Sequence, residues 1–198
     1  MTVSDAELTT LAATHDIINL GMLADEARRR RHGTRTTFVR VATVSADLKA
    51  PTMWPPEAGE IRIVGVPGNR AAAVARVAAV AAAAHGTPVS AFSLTDLEAI
   101  AAADGATLRS VIEQLRAAGC ELVADAPLDR LANARRAIEE VNIAGLALAR
   151  LTVHQLVAPD VVPLFKSVVA LQRSVGVIRA FAPLPRTTHA ASPSTGYD

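Results

Sequence analysis

The sequence predicts an α/β fold: an incomplete (β/α)6 TIM-type barrel of parallel strands behind an N-terminal helical extension. Three observations predict it. Six short runs rich in Val, Ile, Leu and Ala recur along the chain, and most are followed by helical sequence, the pattern of parallel βα units. The first run is followed by Ser45-Ala46-Asp47-Leu48 rather than by a glycine-rich dinucleotide fingerprint, which disfavours a doubly wound sheet. The 198 residues are 51% apolar, enough to bury one sizeable core.

The elements follow in order. Ser4-Asp5-Ala6-Glu7 sets a serine cap three residues before a glutamate, a capping-box pattern that starts a first helix. A second helix spans about 16–31, with Ile17, Ile18, Leu20, Met22 and Leu23 as its apolar side. Its basic end, Arg28-Arg29-Arg30-Arg31, suits the helix dipole, and Gly33 supplies the stop. These residues, 1–33, form the extension.

Barrel strands are predicted at 38–44, 60–64, 89–92, 121–123, 146–153 and 175–181. Helices are predicted at 70–85, 94–103, 107–118, 129–140 and 159–173. Pro51, Pro55 and Pro56 make the first interstrand segment a loop, Gly65 to Gly68 turn the chain after the second strand, and Gly119 ends a helix. The barrel portion runs over 34–185. Residues 186–198 are a Ser/Thr/Pro-rich tail.

Composition limits function. Alanine supplies 41 residues and aromatics only 3%, so the core is built from small aliphatic side chains that let helices approach closely. Twenty basic residues, 18 of them arginine, nearly balance 19 acidic ones. The net charge of +1 gives no global field for nucleic acid or an anionic membrane. The Arg28 to Arg31 run has no interleaved aromatics and is expected to be a solvated helix end. The longest Ala/Val run, 77–84, is too short to cross a bilayer, and the first twenty residues carry no signal-peptide pattern, so a cytoplasmic location is expected. Cys120 is the single cysteine; it can form no internal disulfide and is expected to be an apolar filler at a helix end.

Polar residues at the C-terminal ends of barrel strands line the mouth of such a fold and are the candidates for function. His154 follows the fifth strand and offers a hydrogen-bonding group or a base. Arg150 lies on that strand, and an inward guanidinium there needs a carboxylate or an anionic ligand; Asp125, after the fourth strand, is the candidate partner. Arg40 on the first strand and Arg62 on the second alternate with apolar residues. With Arg150 they could form a pocket for a small carboxylate or phosphate, provided the three side chains share one face.

Several segments resemble the radical S-adenosylmethionine enzymes of the futalosine route to menaquinone, the aminofutalosine synthase and cyclic dehypoxanthinyl futalosine synthase group. Leu20-Gly21-Met22-Leu23-Ala24-Asp25-Glu26-Ala27-Arg28 through Gly33 is similar to the family's N-terminal helix. Further likenesses lie at Ile61 to Gly65, and from Ala91-Phe92-Ser93 to Ala117-Ala118-Gly119. Two more are Ala180-Phe181-Ala182-Pro183-Leu184-Pro185 and Ser194-Thr195-Gly196-Tyr197-Asp198. The resemblance implies a (β/α) barrel whose four-iron cluster is held by three cysteines after the first strand. Here 45–59 contains neither Cys nor His, and thiolates are what hold such a cluster. The family's glycine pair is Gly65-Val66 in this chain, and its His-x-Glu aligns with Leu156-Val157-Ala158. An acid after the third strand survives as Asp96, where the family has Glu. The family continues beyond the Thr-Gly-aromatic-Asp segment, which implies a trimmed relative or a piece of a longer one.

The expectation is a degenerate, non-catalytic relative without metal or cofactor, acting as an accessory or regulatory subunit. It would be a homo-oligomer or a partner of an intact paralogue. The alternatives are a binding protein for a small nucleoside or aromatic acid in the former substrate cavity, and an enzyme of changed chemistry acting through Asp125, Arg150 and His154.

Overall fold

The computed structural model describes residues 4–35, 38–47, 53–154, 161–175 and 184–185. Two helices come first. In α1 (Asp5–Ala13) the capping box is complete: Ser4 Oγ accepts from Glu7 N–H, and the Glu7 carboxylate accepts from Ser4 N–H at 2.7 Å. In α2 (Ile17–His32) Asp16 caps the N-terminus, and Gly33, at φ +64°, ends it behind four basic residues. Lys166 pairs with Asp5 and ties α1 to the last helix.

The barrel portion follows as β1 (Val41–Ser45), β2 (Glu60–Val64), α3 (Arg70–Ala83), β3 (Val89–Ser93), α4 (Leu94–Ala103), α5 (Leu108–Ala117), β4 (Leu122–Pro127) and α6 (Ala134–Ile143). The remaining elements are β5 (Ala147–Leu148), β6 (Leu151–Val153), α7 (Val161–Val175) and β7 (Leu184–Pro185). Every strand pair is parallel, and the order is β1-β2-β3-β4-β6-β7, with β5 also beside β4. Neighbours in sequence are neighbours in the sheet throughout. That is the winding of a barrel rather than of an open sheet with a switch point. The fold is thus an α/β partial barrel, as expected.

Register separates two faces. Ile61 aligns with Val89, and Ile63 with Ala91, which aligns with Val123; these join Ala73, Val77 and Val80 of α3 in the core. The helices match this face with apolar residues at helical spacing: Leu94, Leu97 and Ile100 on α4, Val111, Ile112 and Leu115 on α5, and Ala137, Ile138 and Val141 on α6. The other face aligns Thr43, Arg62, Ser90 and Leu122. There the Glu60 carboxylate, buried beneath the sheet, accepts from Arg62 Nε and Nη2 at 3.1 and 2.8 Å and from Ser90 Oγ at 2.6 Å. The inner face is therefore partly polar, with its charges neutralised in place.

Several boundaries differ from expectation: β1 begins at Val41 rather than 38, β4 runs on to Pro127, and three further differences bear on the site. The helix predicted at 129–140 begins five residues later. Asp129 points its carboxylate back at the His154 N–H, and Asn133 becomes the cap by accepting from Arg136 N–H. The fifth strand is interrupted at Ala149-Arg150, yet both pieces keep one register against β4: Leu122 faces Ala147, and Ala126 faces Leu151. In the run predicted as the sixth strand, Val175 ends α7 instead, and 176–181 lie outside the described residues. The strand seen next to β6 is β7, further along the chain. The predicted tail also lies outside the described residues. Among those described, no helix is long and apolar enough to cross a membrane.

Candidate functional site

A cleft of about 210 Å³ opens at the C-terminal ends of β2, β3, β4 and β6. The chain builds it one junction at a time. After β2, Gly65 adopts φ +99°, a conformation costly for other residues, and turns the chain outward. After β3 no loop intervenes: Phe92, buried and at φ +56°, makes the corner, and Ser93 is the N-cap of α4. A bulky residue in the left-handed region costs roughly 1–2 kcal/mol, so the surrounding packing must hold it. This corner brings Asp96, the third residue of α4, into the cleft, where its carboxylate accepts from the Ser93 N–H. After β4, Asp129 clamps the His154 backbone N–H with both oxygens at 3.0 Å, fixing the rim between β4 and β6.

Five of the six residues singled out from sequence line this one cleft: Arg62, Asp96, Asp125, Arg150 and His154. The register sets Arg150 opposite Asp125, between the two paired pieces of the fifth strand. Arg40 lies elsewhere. It precedes β1 at the N-terminal end of the strands, where its carbonyl accepts from Gly59 and Glu60 N–H and its exposed guanidinium pairs with Glu57 at 3.2 Å. The three arginines therefore do not share a pocket: β1 starts at Val41, and Arg40 is at the wrong end of the strand to share a site with Arg62 and Arg150. Arg62 is only partly available, because Glu60 engages two of its donors.

Sequence reasoning missed Arg130. It lines the cleft, and its guanidinium forms no hydrogen bond or ion pair among the described residues. Assigning 129–140 to a helix hid it; its place just after a barrel strand was the signal that could have found it. Thr152 was also missed. It is fully buried, and its hydroxyl donates to Asp125 Oδ2 at 3.4 Å.

The electrostatics are uneven. Burial pushes the Asp96 carboxyl above its ordinary value, the Ser93 N–H opposes this, and the charge of Asp125 adds to it. Asp125 is 6% exposed. Neither carboxylate has an ion-pair partner among the described residues. The arrangement can receive an anion at arginine and hydrogen-bond donors at aspartate.

A larger hollow of about 510 Å³ lies outside the barrel between α4, α5 and α6. Its two best-placed charges neutralise each other, Arg109 Nε meeting Glu140 Oε2 at 2.6 Å, so it is the weaker candidate.

The residues do not fit a four-iron cluster. Cys120 is 3% exposed, its thiol donates to the Leu122 carbonyl at 3.1 Å, and burial pushes it up to about 12. Among the described residues no three His, Cys, Asp or Glu side chains gather as metal ligands.

No known family profile and no curated protein matches this chain. Among solved structures it is similar to 7,8-dihydropteroate synthase from Vibrio fischeri, with 14% identity and a TM-score of 0.44. The match covers 71% of this chain and 58% of that one.

Proposed function

We propose that this chain is a non-catalytic small-molecule-binding protein that takes a small carboxylate or phosphate in the cleft at the C-terminal ends of its strands. One observation carries the reading: Arg130, whose guanidinium is unengaged among the described residues, lines the same cleft as Arg150. A guanidinium fork matches carboxylate and phosphate oxygens in a bidentate way. With a single cysteine, the chain lacks the three thiolates of the futalosine-route radical enzymes it resembles, so the reading gives it none of their cluster chemistry. Titration calorimetry with butyrate, succinate and phosphate tests the reading. At least one should bind, and Arg130→Ala should weaken it by about tenfold or more. Absence of heat from all three, or equal affinity in the variant, overturns it.

A second reading is favoured by the sheet. At the end of the strand order, β1 pairs with β2 alone among the described residues, so its outer edge is open. A second copy pairing there about a two-fold axis would cover both edges at once. Light scattering on the eluting peak should give twice the chain mass, and a monomer at all concentrations rejects it.

A further inference from the structure

We propose that the ligand of the cleft is bifunctional, with an acidic group held by Arg130 and Arg150 and a protonated nitrogen held between Asp96 and Asp125. This rests on the anion-binding reading above and supplies the other half of the ligand. Asp125 is more than nine-tenths buried, lines the cleft, and meets one hydroxyl at the long distance of 3.4 Å. Asp96 faces the same space and feels the charge of Asp125. A buried carboxylate without a cation is costly, and a second one beside it is costlier.

The cations of the cleft do not relieve this. Arg62 is engaged by Glu60, and neither aspartate is ion-paired among the described residues. In strand order the acids occupy the middle of the cleft, from the start of α4 and the end of β4, while Arg130 and Arg150 follow toward β6. An anion alone would satisfy Arg130 and meet repulsion from the acids. A cation alone would do the reverse. A ligand carrying both groups satisfies each side, and its nitrogen gains charge-assisted hydrogen bonds in a partly dry site. The volume, about 210 Å³, equals that of about seven water molecules, so the ligand is small.

Calorimetry on the intact chain near neutral pH, with 4-aminobutyrate, butyrate and butylamine as probes, tests this. The aminoacid should bind about tenfold or more tighter than butyrate. Asp96→Asn should abolish that preference while leaving butyrate at least as tight as before. Asparagine keeps the oxygen that accepts from Ser93 N–H, so the start of α4 survives. Asp125→Asn is the second variant, with the same expected result. Equal affinity for the aminoacid and butyrate overturns the inference and leaves the anion reading standing. So does a preference that survives in both variants. Binding of butylamine alone, or of no probe, overturns this inference; the anion reading falls with it only if succinate and phosphate give no heat either.

Discussion

Replacing Glu60 by leucine should unfold the protein at a markedly lower temperature, although the new side chain is similar in size. One oxygen of Glu60 accepts from Arg62 Nε, Arg62 Nη2 and Ser90 Oγ at 3.1, 2.8 and 2.6 Å. The side chains of Arg62 and Glu60 are 13% and 9% exposed. Leucine would leave the guanidinium buried with its best partner gone, which costs about 3–5 kcal/mol for a buried pair. Arg62 also lines the cleft, where water can reach it, so the lower figure of about 3 kcal/mol applies. For a chain of this length that corresponds to a midpoint lower by about 6–12 °C. Glu60→Gln keeps an acceptor but not the charge, and should cost about half as much. The double variant Glu60→Leu with Arg62→Leu should recover most of the loss, because no charge is then stranded. Thermal and urea unfolding by circular dichroism of the wild type, Glu60→Leu, Arg62→Leu and the double variant give all four corners of the cycle. A single-variant loss below about 1 kcal/mol, or a double variant no more stable than Glu60→Leu, would refute the account of the inner face.

Three further outcomes are expected. A carboxyl raised by burial binds its proton more tightly folded than unfolded, so the stability tied to Asp96 is present below its unfolded value and is lost as pH rises through the folded one. Asp96→Asn should flatten that fall, read as midpoint against pH between acid and neutral. Cys120, buried and pushed up to about 12, should resist iodoacetamide at mildly alkaline pH in the native protein and react fully in urea, followed by mass spectrometry. Gly119→Ala should destabilise by about 1–3 kcal/mol in urea, since the new methyl would lie 2.6 Å from the Ala81 Cβ at a φ of +102°.

Much of this architecture was readable from residue pattern. Ile61-Arg62-Ile63 announces a strand whose apolar residues face helices, and the extent of the helix at 107–118 is legible to within a residue at each end. The parallel order followed from strands separated by helical sequence. What failed depended on contacts between distant residues. Nothing local to Asp129 says that its carboxylate will be spent on the His154 backbone, so the start of α6 was misplaced, and Arg130 with it. Arg40 and Arg62 look alike in sequence, each alternating with apolar neighbours. Only the register, with Val41 opposite Glu60, shows that one lies below the sheet and the other within it. The cleft residues on β4 and the fifth strand were legible because charged groups sit there beside runs of apolar residues, at the ends of strands that line a barrel mouth.

The corner at Phe92 has a consequence for protein engineering. With strand passing into helix across a single left-handed residue, there is no slack at 92–94 to absorb added chain. A peptide grafted there would tear α4 from the sheet and remove Asp96 from the rim. The Asp104-Gly105 turn, with Gly105 at φ +61° and open space around it, has room for the same graft after Gly105, leaving the Asp104 cap of α4 and its 3.0 Å ion pair with Arg70 in place. The two ends of α4 therefore differ sharply in how much added chain they tolerate.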